Sequence, residues 1–149
     1  MLETQQINRA IAEALTAQGF DAELAFDTHN AWCPEERCWV GTRKPIQVNQ
    51  VCGTTVFQSD CQGVLQLKPH DFTDPRYLFP ALEEYAKRFV IFRIDTYRAR
   101  HDGIWNGFLG VDYGNSDGDG KGRETYPARG ASYCEALRNA FAAALGVNI

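Results

Sequence analysis

No stretch of this sequence approaches the roughly 18 consecutive apolar residues that a membrane-spanning helix needs, so a membrane is not an expected partner. The opening MLETQQINRAIAEA places an acid at once and has no apolar signal-peptide core, which predicts a cytoplasmic chain. Positive charge is not in surplus: 15 Lys and Arg stand against 19 Asp and Glu, for a net charge of −4. A field of that sign does not grip phosphate backbones, so nucleic acid is not an expected partner, although a local basic pocket remains allowed. Histidine is scarce, with only His29, His70 and His101, and none falls in a catalytic motif. A triad would need partners that the sequence does not place beside them, and an enzyme is therefore not the favoured class. His101 reads as a surface turn residue and His70 as a local hydrogen-bonding group.

What is present is an ordinary globular composition. The 149 residues, 44% hydrophobic and 23% charged, suffice for one domain with a core that needs no staple. Five cysteines, an odd number in a chain of this length, read as reduced thiols rather than a secreted disulfide framework.

The richest local pattern runs from Thr73 to Tyr113. Asp74 can cap a helix that starts between Pro75 and Pro80, and Leu78, Leu82, Tyr85 and Phe89 recur at helical spacing. FVIFRIDTYRA and GIWNGFLGVDY then read as a hairpin. A two-residue turn at Asp102-Gly103 would set Thr96 against Leu109, Ile94 against Val111, Phe92 against Tyr113, Tyr97 against Phe108 and Arg93 against Asp112. That register predicts one apolar core face and one aromatic and ionic face. Upstream, Ile7, Ala10, Ile11, Ala14 and Leu15 predict a first helix over Thr4 to Gln18, stopped at Gly19. Between Phe20 and Lys68 the sequence suggests short extended pieces at Glu23 to Phe26 and Cys38 to Gly41, a strand interrupted at Gly53, a turn at SDCQG and the short strand VLQLK. After Tyr113, GNSDGDGKG is a loop, and Arg123 to Ala128 returns as a third strand. Ser132 and Glu135 have capping-box spacing before a last helix that ends at Gly146. The expected fold is a single α+β domain over residues 1–149, an antiparallel sheet with helices packed on it in an α-β-α sandwich-like arrangement.

The segments INRAIAEAL, PHDFTDPRYLFPALEEYAKR and ASYCEALRNAFAAALG, with this order of elements, resemble the phage ABA sandwich domain family of small bacteriophage proteins. The likeness covers about a third of the chain, and the segment from Asn30 to Gln66 is longer than the family pattern. The family has no established activity, so the resemblance implies phage origin, accessory status and a place in the cytoplasm of an infected bacterial host.

Three groups of residues could carry chemistry. Cys33 and Cys38 at C-x4-C, followed by Cys52 and Cys61, could supply four thiolates to zinc, but the tight C-x2-C knuckle is missing and the alternative is idle thiols. Cys134 falls inside the last helix and reads as core or bystander. Asn115 to Gly120 resembles the first half of a calcium loop, while Tyr126 occupies the position that should be a bidentate Glu, which leaves a solvated loop as the simpler reading. Arg93, Tyr97, Arg98, Phe108, Lys121, Arg123 and Arg129 combine aromatic faces with guanidinium forks near a glycine-rich loop, as a nucleotide pocket would require. The plain alternative is that Arg93 pairs with Asp112 at the surface and Trp105 packs with Leu109.

These readings favour an accessory protein that acts by binding, with no cofactor, by blocking a host immunity protein or sequestering a nucleotide-like signal. The aromatic face of Tyr97 and Phe108 further suggests a homo-oligomer. The competing class is a metal-dependent enzyme or zinc-stapled module on Cys33, Cys38, Cys52 and Cys61.

Overall fold

The computed structural model describes residues 3–33, 37–41, 43, 55–58, 61–114 and 122–148. The chain forms two compact units, one of residues 4–70 and one of residues 71–149 together with 1–3. It is α+β: among the described residues the strands pair antiparallel throughout and fall into two small sheets, with four helices. No described helix is long and apolar enough to cross a membrane.

The first unit begins with α1 (Thr4–Ala17), whose Ile7, Ile11 and Leu15 are buried as the helical period requires. Gly19 follows it at φ 84°, the left-handed conformation that glycine adopts without strain. Residues expected to be extended from Glu23 form a single helical turn instead, α2 (Ala22–Ala25), because the Asp21 side chain accepts the Glu23 N–H and caps it. The sheet has the order β2-β1-β4-β3, built from β1 (Phe26–Cys33), β2 (Cys38–Gly41), β3 (Thr55–Gln58) and β4 (Cys61–Pro69). Along β1 the buried residues are Phe26 and Thr28, then Ala31 and Cys33. This change of parity falls within the register shift against β4 between Asp27 and Ala31. Asp27 holds that irregularity, accepting the His29 N–H at 2.9 Å and the Asn30 amide at 3.1 Å. Burial works against ionising Asp27, but the bonds from His29 and Asn30 win and lower its pKa. Trp32 and Trp39 face each other across β1 and β2, ring centroids 5.4 Å apart.

In the second unit, Asp74 caps α3 (Pro75–Arg88) by accepting the Arg76 N–H at 2.9 Å. The helix starts at Pro75 and carries Pro80 within it, which settles the start at its earlier bound. The sheet has the order β5-β6-β7, from β5 (Val90–Arg98), β6 (Trp105–Asp112) and β7 (Arg123–Gly130). The last helix α4 (Tyr133–Ala144) is capped as expected, Ser132 Oγ accepting the Glu135 N–H at 3.2 Å. It lies on β6 and β7, where Gly107 and Gly130 let its backbone descend onto the sheet. A Cβ at Gly107 would come within 2.8 Å of the Ala136 carbonyl oxygen. Leu109 and Val111 of β6 are fully buried, as are Leu78, Tyr85, Leu137 and Phe141 from the helices.

The hairpin register differs from the sequence expectation by two residues. Ile94 opposes Leu109 rather than Val111, and Tyr97 opposes Asn106 rather than Phe108. The cause is the turn: Ala99 donates to Ile104 O at 2.9 Å and Gly103 to Ala99 O at 3.0 Å, which closes a four-residue loop over Arg100 to Gly103. A shift of two preserves which side chains share a face. A second correction concerns Phe92. The register breaks between Ile91 and Arg93, and this bulge turns the Phe92 ring over Gly110, onto the face opposite Leu109. Ile94, expected in the core, is on the helix side but exposed, because β5 is the edge strand.

Candidate functional site

The face of the second sheet turned away from α4 gathers most of the residues that the sequence singled out. Cross-strand rows place Tyr97, Asn106 and Arg129 in one line and Asp112 with Arg123 in another. Phe108 is the centre of this face: Tyr97 stacks on it with ring centroids 5.9 Å apart and planes at 16°, and the Arg93 guanidinium lies 4.7 Å from its centroid. Arg93 pairs with Asp95 at 3.2 Å, not with Asp112 as the sequence suggested, because Asp112 is taken by Arg123 at 3.4 Å. The Arg123 guanidinium also covers the ring of Phe92 at 5.0 Å. Trp105, on the other face, meets Tyr133 of α4.

At the turn end of this face lies a shallow open groove of about 510 Å³, lined by Tyr97, Arg98, Ala99, Arg100, His101, Asp102, Asn106 and Arg129. Three arginines and one aspartate line it, and Arg129 is the arginine that pairs with that carboxylate. Asp102 accepts the Ile104 N–H at 2.9 Å and pairs with Arg129 at 3.1 Å, with His101 Nε2 at 3.4 Å. The Ile104 N–H above all, and then the charges of His101 and Arg129, hold its carboxyl below the usual range, so it stays ionised and fixes the loop. Arg98 Nε reaches the Gly103 carbonyl at 3.4 Å, folding that guanidinium along the rim. The groove can therefore offer an exposed aromatic ring beside forked donors, which suits a planar ring attached to an anionic group.

Of the sequence-predicted ligand residues, Tyr97, Arg98 and Arg129 share this groove, and Arg93 and Phe108 adjoin it through the stack on Tyr97. Arg123 stands with Phe92 at the opposite end of the sheet. Lys121 and the Asn115 to Gly120 loop lie outside the described residues. Arg100, Asp102 and Asn106 were missed because the two-residue turn set the loop too short. The clustered bases of RARHDG were the signal that could have found them.

Cys33 and Cys38 are direct cross-strand partners, Cys33 buried and Cys38 exposed. Cys61 opens β4 opposite Gln58, and Cys52 lies outside the described residues. Among the described residues no three His, Cys, Asp or Glu side chains gather as a metal site would require. His70 Nε2 lies 2.9 Å from the Glu23 carbonyl oxygen. Cys134 is half-buried, and burial pushes its thiol pKa up.

Comparison with protein-family models, curated proteins and solved structures finds no match.

Proposed function

We propose that this chain is a phage accessory protein that works by binding in the cytoplasm of the infected host, and that its ligand is a small nucleotide-like anion such as a host immune signal. The observation that carries this reading is the convergence of Arg98, Arg100 and Arg129 with the exposed ring of Tyr97 in one open groove of an otherwise acidic chain. Guanidinium forks suit phosphate oxygens, and an aromatic face suits a base. The likeness of the helical segments to a phage family supports the phage setting.

Native mass spectrometry of protein purified from bacteria, followed by titration calorimetry with ATP and with a cyclic dinucleotide, tests it. A nucleotide-sized adduct, or saturable binding, supports the reading. Arg98→Ala and Arg129→Ala should each weaken that binding by roughly tenfold or more, the value of a charge-assisted hydrogen bond. Bare protein that ignores both probes would refute the small-ligand reading and leave a host protein as the target.

A further inference from the structure

The second sheet has two edges, and they differ. On β7, Pro127 sits in mid-strand, where it has no N–H to offer a further strand, and Arg123, Glu124 and Arg129 surround it with charge. β5 is nine residues long, contains neither Pro nor Lys, and no described strand pairs with its outer side. Its apolar side chains are nonetheless open: Val90 is 62% exposed, Ile94 46% and Phe92 41%. A groove of about 570 Å³ between α3 and this strand is lined by Phe79, Leu82, Ile91 and Ile94 among others, and Phe79 is itself exposed. An edge of this length and composition is a template for another strand.

The charges on β5 identify which strand. We infer that β5 pairs antiparallel with β5 of a second copy, about a two-fold axis through Ile94. In that register Arg93 of each copy stands directly opposite Asp95 of the other, so symmetry makes two ion pairs. The side chains of both residues are about half exposed and so free to exchange their present partners. Moving the axis by one residue sets Arg93 against Arg93 or Asp95 against Asp95, and like charges directly opposite are unfavourable. The strand therefore carries both an attraction for one self-register and a penalty on its neighbours. With Ile94 on the axis, the two exposed isoleucines meet and the apolar grooves beside α3 adjoin. The pairing ends at the bulge between Ile91 and Arg93, which keeps it short. This inference concerns the strand edge and does not depend on a ligand in the groove.

Analytical ultracentrifugation of the full chain tests it, with circular dichroism to verify folding of each variant. Wild-type protein should form a dimer that weakens as salt is added. Arg93→Asp alone and Asp95→Arg alone each bring like charges together twice and should weaken self-association by roughly tenfold or more. An equimolar mixture of these two variants should recover the dimer, because every introduced charge then meets its opposite across the axis. The double variant Arg93→Asp/Asp95→Arg should dimerise by itself. A monomeric wild type, a dimer unaffected by either single substitution, or a mixture that stays monomeric would each overturn the proposal.

Discussion

Arg138 is the residue least at ease in this molecule. It lies in α4 and is 1% exposed, donating from Nε and Nη2 to Asn139 Oδ1 at 3.0 and 2.8 Å, while Nη1 has no partner among the described residues. Burial lowers its pKa, and the nearby charges of Glu135 and Asp71 act in the other direction. A desolvated charge with one neutral partner is weakly compensated, since removing it altogether can leave a protein equally or more stable. Arg138→Met, which keeps the buried stem and discards the charge, should show a urea midpoint no lower than wild type. Asn139→Ala, by contrast, strips the guanidinium of its acceptor and frees the Arg129 carbonyl that Asn139 serves at 2.7 Å. The same denaturation experiment should then show a loss of about 1–3 kcal/mol.

At the scale of elements, the decisive contact is α4 on its sheet. Gly107 and Gly130 are small because the helix backbone occupies the space a side chain would need: a Cβ at Gly130 would lie 2.5 Å from the Ala136 nitrogen. Gly107→Ala should therefore lower stability by about 1–3 kcal/mol, the usual effect of overpacking, measurable as a reduced Tm. An alanine at Gly114, which has open space around it, would carry only the strain of φ 66°. The elements themselves were legible where their signals are local. Asp74 before Pro75, and Ser132 three residues before Glu135, announce helix starts that the backbone obeys. The hairpin partners were legible too, but their register was not, since it depends on whether two or four residues make the turn. A turn of either length leaves the same side chains on each face. For this reason Arg93, Tyr97 and Phe108 could be placed together from sequence, while the pairing of Asn106 with Tyr97 and the place of Arg100 in the loop could not. The bulge at Phe92 had no mark in the alternation of FVIFRID, because a bulged strand of mostly apolar residues alternates no worse than a straight one.

For the molecule as a whole, titration sets the pH range of stability. Asp74 is lowered by the side chain and backbone N–H of Arg76, Asp112 by the Gly114 N–H and then Arg123, and Asp27 and Asp102 as described. Folded carboxyls below their ordinary 3.8 contribute stability above that pH and lose it as the pH falls through their folded values. At the alkaline end, Tyr113 lies 2.8 Å from Tyr126 and 3.3 Å from Tyr85, oxygen to oxygen, and burial above all pushes its pKa from 10.0 up to about 12. The folded form thus holds this proton longer than the unfolded chain does, so stability is intact below pH 10.0 and declines from there to about 12. Chemical denaturation across that interval should show the decline, and Tyr113→Phe should flatten it. The acid limb should be unaltered by that substitution.

Pro127 has a further consequence for the size of any assembly. A sheet with two open edges can recruit copies without limit, as fibres do. Here one side of the three-stranded sheet is closed by an imino acid in the middle of β7. If β5 pairs with a second copy as proposed, growth along the hydrogen-bonding direction would stop at that step, because β7 has no N–H at Pro127 to offer a third.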